Sequence, residues 1–172
     1  MTLYFDPTAA LGEDREAFRG RWEDRLWLNV PGPFYGAETD NCWTGRLSAP
    51  DHVLYGGTYL AEYVYRQPRT AAEAARLVEA AECDPLLGYG CDGDAHWTPD
   101  AVREWWRDRG RITEYLSEQD WNEADWAEQG IADAVRDYRS YIDGSLAGDL
   151  RIYLHWLEEG RSPAPGEALP EL

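Results

Sequence analysis

Carboxylates dominate the chemistry that this sequence offers. Between Arg111 and Arg136 there is no basic residue, whereas Glu114, Glu118, Asp120, Glu123, Asp125, Glu128 and Asp133 place seven negative charges in the same interval. On a helix, at about 100° per residue, Leu116, Ala124, Ala127 and Ile131 converge on one side. Glu114, Glu118, Asp125 and Glu128 lie on another, with Trp121 among them. An indole ringed by acids suits an arginine of a partner protein, because the ring face stacks on the guanidinium while the carboxylates accept its N–H groups. Glu114, Glu118, Trp121, Asp125 and Glu128 are therefore the candidate partner-binding residues. The competing explanation is a solvated helix face with Trp121 at the edge of the core.

A second constellation lies in NVPGPFYGAETDNCWTGR, residues Asn29 to Arg46. Here Tyr35, Glu38, Asp40, Trp43 and Arg46, together with Phe34, mix aromatic and charged side chains in glycine-bearing loop chain. Concave sites for small polar ligands are often furnished this way. Two neighbouring carboxylates divide into an acid and a base if burial raises one pKa. The alternative is a loop whose aromatics plug into the core and whose Arg46 pairs with a nearby acid.

Other constellations are weaker. Cys83, Cys91 and His96, with Cys42 from a distant loop, would supply four zinc donors, but they lack the CxxC-like pairs that set a tetrahedral corner. Free buried thiols are the expectation, with no metal and no cofactor. Asp92-Gly93-Asp94 lacks the full set of oxygen ligands of a calcium loop and reads as a turn. Cys42 and His52, flanked by Asp40, Asn41 and Asp51, would need the loop to fold back to make a nucleophile and base; a hydrogen-bonded surface His52 is expected instead. The sequence contains no GxxxxGK[ST], HExxH or GxSxG, so P-loop nucleotide folds, zincins and serine hydrolases find no support.

Charge narrows the partners further. The 172 residues carry 33 acidic and 16 basic side chains, a net charge of -17, and every basic residue is arginine. Arg in place of Lys, with many Ala, Gly and Asp, is the mark of GC-rich coding and points to a bacterial source. A chain so acidic repels phosphate, which disfavours direct nucleic-acid binding through the backbone and docking on anionic membrane unless a local basic patch exists. The densest arginine group, Arg15, Arg19, Arg21 and Arg25, is interleaved with Glu13, Asp14, Glu16, Glu23 and Asp24. No run approaches the roughly 20 apolar residues of a membrane span, and the first residues lack a basic leader with an apolar core. The expected location is the cytoplasm, which three cysteines also suit.

The elements that must position these groups follow from periodicity. Phe18, Trp22 and Leu26 predict a helix over Glu13–Leu28. Pro31–Pro50 is turn-rich, with room for short strands. His52–Gln67 predicts a hairpin, with Val53, Tyr55, Tyr59, Val64 and Tyr65 about a Gly56-Gly57 turn. Thr70 and Glu73 form a capping box for a helix ending near Cys83. Asp84–Trp97 is a glycine-rich loop, and Thr98-Pro99 opens a helix that Gly110 closes. Further helices are predicted over Ser117–Gln129, Ile131–Ile142 and Leu146–Glu159, punctuated by Gly144, Gly148 and Gly160. The expected fold class is α+β: a small antiparallel sheet or hairpin in the N-terminal half, packed with about five to six helices, and an all-helical C-terminal half. Residues 1–160 form one domain, with a helical lobe at 98–160 as its subdivision, and 161–172 form a flexible tail. The functional expectation is an acidic cytoplasmic protein-binding module, an inhibitor, immunity protein or antitoxin that masks a basic surface. The alternative is a small enzyme or ligand-binding domain built on the loop 29–46.

Overall fold

The structure, a computed structural model, describes residues 4–118 and 130–172. It is mixed α+β, with both small antiparallel sheets in the N-terminal half and a helical C-terminal half. The chain separates into two compact units that meet in sequence between Trp97 and Thr98.

The first unit holds strands β1 (Tyr35–Gly36), β2 (Val53–Gly56), β3 (Ala61–Val64) and β4 (Tyr89–Gly90), with helices α1 (Thr44–Ser48) and α2 (Ala71–Cys83). β2 and β3 form the predicted hairpin, pairing Val53 with Val64 and Tyr55 with Glu62, and β1 pairs with β4. All eight hairpin residues are buried, so both faces of this ribbon are covered. The four-residue connection begins at Gly57, whose φ of +72° suits glycine. Tyr59 belongs to this connection and is 83% exposed, not a strand residue. α2 presents Ala74, Leu77, Val78 and Ala81 to a core shared with Leu11, Phe34, Val53, Val64 and Tyr89. Thr70 caps it by accepting from the Glu73 N–H, while the Glu73 carboxylate accepts from the Arg69 N–H.

Two expectations fail here for tertiary reasons. No helix spans Glu13–Leu28; the segment forms two short 3-10 turns, Gly12–Ala17 and Trp22–Asp24, with Phe18 extended between them. Gly20 donates to the Tyr89 carbonyl at 2.7 Å, and a Cβ there would stand 2.3 Å from the Gly88 oxygen. Backbone contact with 88–89 therefore replaces the helix, and Phe18 packs on Phe34 at 5.3 Å. The loop Asp84–Trp97 in turn contains β4 and a 3-10 turn over Gly93–Ala95.

The second unit contains α3 (Pro99–Asp108), α4 (Gly110–Glu118), α5 (Ile131–Asp143) and α6 (Leu146–Glu159). Thr98 caps α3 by accepting from the Ala101 N–H, with Pro99 in the first turn. The apolar stripes become the core: Val102 and Trp105, Ile112 and Leu116, Ile131, Val135, Tyr138 and Ile142, then Leu150, Tyr153 and Leu154. Gly110 opens α4 instead of merely closing α3, so a helix begins before Ser117; the rest of the expected Ser117–Gln129 helix lies outside the described residues. Gly148 sits inside α6, and only Gly160, at φ +66°, ends it. Residues 161–172 have no regular structure. Arg151 donates to the Leu169 and Pro170 carbonyls, and Arg103 to that of Glu171.

Candidate functional site

The most unusual chemistry of the first unit is internal. Glu62 has no solvent exposure. Its Oε1 accepts from the Gly45 N–H at 2.8 Å and its Oε2 from the Tyr89 hydroxyl at 2.5 Å, while its own N–H donates to Thr39 Oγ1 at 2.7 Å. One side chain thus joins β3 to α1 and β4. Burial pushes the carboxyl up to about 7; the hydrogen bonds from Tyr89 and Gly45 oppose this, and the Asp40 and Asp84 charges add to it. Gly45 is required at this point, since a Cβ would lie 2.2 Å from both Glu62 Oε2 and the Tyr89 oxygen. Asp84, also fully buried, accepts from the N–H groups of Asp40, Leu86 and Gly88 at 3.0, 3.1 and 2.7 Å.

Tyr55 lies opposite Glu62 in the hairpin, and its hydroxyl donates to the Trp43 carbonyl at 2.7 Å. The Trp43 ring stacks on it at 5.2 Å. Burial raises the Tyr55 pKa, with Glu62 and Asp40 raising it further and Arg46 opposing them. Arg46 donates to the carbonyls of Pro50 and Val53. The Thr44 hydroxyl, in the first turn of α1, is buried with no hydrogen-bond partner among the described residues.

A second cluster surrounds Trp22. The Arg25 guanidinium lies over its ring, 3.7 Å from the centroid, and the His96 imidazole stacks parallel to it at 4.9 Å. Tyr35 donates to Asp92 Oδ1 at 2.6 Å, and Asp92 Oδ2 faces His96 Nε2 at 3.1 Å. Burial alone would raise the Asp92 carboxyl, but the bonds from Tyr35 and His96 prevail and hold it below its usual range. The result is a fixed imidazole at the surface, oriented by a carboxylate.

The residues expected to share a ligand pocket therefore divide. Asp40, Trp43 and Arg46 gather near Tyr55 and Glu62. Tyr35 is buried in the Asp92 cluster, and Glu38 is exposed. Glu62 was missed. It is the only acid between Asp51 and Glu73, set in the most aromatic stretch of the hairpin, and that isolation was the available signal.

In the second unit, Glu114 and Glu118 are both exposed one turn apart on α4, opposite buried Ile112 and Leu116. Trp121, Asp125 and Glu128 lie outside the described residues. A polar cleft of about 510 Å³ is lined by Arg103, His155, Glu158, Arg161, Glu167 and Glu171, among others. Its polar groups pair with one another: Arg103 with Glu158 at 2.9 Å, Arg161 with Glu167, and the His155 Nε2 faces Glu167 at 3.3 Å.

All three cysteines are free, but only Cys91 is buried; Cys42 and Cys83 are exposed because both sit at the rim where 39–43 meets the end of α2. His52 is buried as well, with Nδ1 against the Arg66 carbonyl at 2.8 Å, a cross-strand position that removes it from solvent. Among the described residues no His, Cys, Asp and Glu group is arranged to hold a metal, and no helix is long and apolar enough to cross a membrane. Compared with protein-family models, curated proteins and solved structures, the chain matches none.

Proposed function

We propose that this chain is an acidic cytoplasmic protein-binding module of bacterial origin, inhibitor-, immunity- or antitoxin-like, that masks a basic surface of a partner protein without binding nucleic acid or membrane. The observation that carries this reading is the outward pair Glu114 and Glu118. They are like charges one helical turn apart, with no ion-pair partner among the described residues, while Arg103, Arg136 and Arg161 of the same unit are paired with acids elsewhere. Like charges at i and i+4 cost a helix a few tenths of a kcal/mol, and a basic partner would turn that cost into attraction. An acidic face meeting a basic cleft gains steered, fast association, and aromatic anchors such as Trp121 would supply the central affinity.

Salt tests the reading. A partner retained from the native cytoplasm at low ionic strength should bind more weakly as salt rises. Glu114→Arg with Glu118→Arg should lower its affinity by about tenfold or more, chiefly through the association rate. Affinity indifferent to both salt and charge reversal would overturn it.

A second reading, a small enzyme or ligand-binding domain using 29–46, draws support from the gathering of Asp40, Trp43 and Arg46 near Tyr55, beside the unpartnered Thr44 hydroxyl. Thermal stabilisation by a metabolite or nucleotide, abolished by Asp40→Asn and Arg46→Ala, would raise it above the first. Stabilisation that survives both changes would reject this location.

A further inference from the structure

We propose that the Glu62 carboxyl is a pH-sensitive clasp that holds residues 39–48 against β3 and β4 when protonated and loosens them when it ionises. The inference concerns the first unit alone and does not depend on what the chain binds.

Geometry carries it. Glu62 reaches from β3 to two elements distant in sequence, meeting the Gly45 N–H at 2.8 Å and the Tyr89 hydroxyl at 2.5 Å. The groups facing it are unfavourable to a second negative charge. From the segment before α1 comes Asp40, from the turn after α2 comes Asp84, from β2 comes Tyr55 and from β4 comes Tyr89; β1 contributes no titratable group besides Tyr35, which is turned to Asp92. The cation nearest this cluster in the hairpin's electrostatics, Arg46, influences Tyr55 and donates to the Pro50 and Val53 carbonyls. An ionised Glu62 is therefore a buried anion beside two carboxylates, stabilised by two donors.

The part that can yield is also identifiable. α1 has five residues, and Trp43 before it adopts a left-handed φ of +65°, a conformation that non-glycine residues hold only when their surroundings enforce it. Besides the Glu62–Gly45 bond, the segment is held by Tyr55 on the Trp43 carbonyl, by Asp84 on the Asp40 N–H, by the Glu62 N–H on Thr39 Oγ1, by Arg46 on the Val53 carbonyl and by Ala49 in the core behind it. Moving it outward would hydrate Glu62 without dismantling the hairpin.

The sign follows from linkage. Burial raises this carboxyl from 4.5 to about 7, so the closed form binds the proton more tightly than an open, hydrated one. Closure is strongest below the lower value, weakens as pH rises between the two, and weakens no further above the upper one. Between pH 6 and 8 that difference corresponds to about a tenfold rise in opening.

Hydrogen exchange of the full chain, followed by mass spectrometry from pH 6 to 8 and corrected for intrinsic exchange, reads this directly, with α5 and α6 as internal references. Peptides covering 39–48 should gain about tenfold in opening relative to those references, and Glu62→Gln should flatten the profile. Asp40→Asn, which removes one neighbouring charge and leaves the clasp in place, should let Glu62 ionise at lower pH and move the wild-type profile the same way. This second variant decides the matter if Glu62→Gln does not fold. A wild-type profile parallel to the references, an unchanged slope in folded Glu62→Gln, or a midpoint unmoved by Asp40→Asn would each overturn the clasp.

Discussion

The two units of this protein are equally acidic and ordered by opposite means. Residues 4–97 carry sixteen acids against eight arginines, and residues 98–172 seventeen against eight. In the second unit the described carboxylates stay at or near the surface, and the interior is a set of apolar helix stripes whose backbone bonds close within each helix. In the first unit regular structure is sparse, and side chains do what a ladder would otherwise do. Asn29 donates to the Leu26 and Gly36 carbonyls and accepts from the Gly36 and Val64 N–H groups. Gln67 bonds Val30 and Phe34, Asp84 holds three N–H groups, and Glu62 joins three segments. Buried backbone must be paired somewhere; irregular chain achieves this with amides and carboxylates drawn inward. The same residue type thus stays outward in one unit and is drawn in as internal scaffold in the other.

Changes to one unit at a time should expose that contrast. The largest effect expected in the helical unit is apolar: Leu154→Ala, at a fully buried site on α6, should lower unfolding free energy by about 3 kcal/mol in urea titration. Its counterpart in the first unit adds one carbon. Gly45→Ala sets a methyl against Glu62 and Tyr89 and should cost about 2–3 kcal/mol, with hydrogen-exchange protection lost first around 43–48 and 61–64. Next, Asp84→Ala strands three N–H groups and should cost about 2 kcal/mol; a cost below that of a helix cap would contradict the scaffold role. Caps are local in both units, so Thr70→Ala and Thr98→Ala should each cost about 1 kcal/mol by thermal melting, and a marked inequality would show that one cap does more than end its helix.

The smallest effect is at the surface. The Arg161 guanidinium, with the Ala164 N–H, holds the Glu167 carboxyl well below its usual range. A depressed carboxyl stabilises above its ordinary titration range and loses that contribution as pH falls through and beneath it. Exchange of the Ala164 amide should therefore rise on acidification, and Glu167→Gln should remove the pH dependence with little change in melting temperature. The opposing directions, Glu62 loosening with base and Glu167 with acid, follow from a buried anion in one case and a paired, half-buried one at the surface in the other.

How far the sequence could be read tracks the same contrast. Helices α2, α3, α5 and α6 were legible because caps and 3.6-residue stripes are local signals, and the β2–β3 hairpin because Val53, Tyr55, Tyr63 and Val64 are β-branched or aromatic and glycine opens the connection at Gly57. The expected helix at Glu13–Leu28 had the right period too. It lost to contacts of Gly20 with the 88–89 backbone, some 70 positions away, which no local window contains. The candidate ligand loop was half legible: Asp40, Trp43 and Arg46 do share a neighbourhood, whereas Tyr35 joins Asp92 and His96 through a side-chain bond across 57 positions. Glu62 went unread because a lone acid in a strand is ordinarily a solvent-facing residue.

By itself, then, the sequence determined the α+β class, the helical second half, the hairpin and the excess negative charge, since each follows from composition or from residues within a few turns of one another. Tertiary structure alone decided which carboxylates stay at the surface and which are scaffold. A carboxyl's solvent exposure, its hydrogen-bond donors and its charged neighbours are set by residues far away in the chain, and those three quantities are what give Glu62 and Glu114 different chemistry.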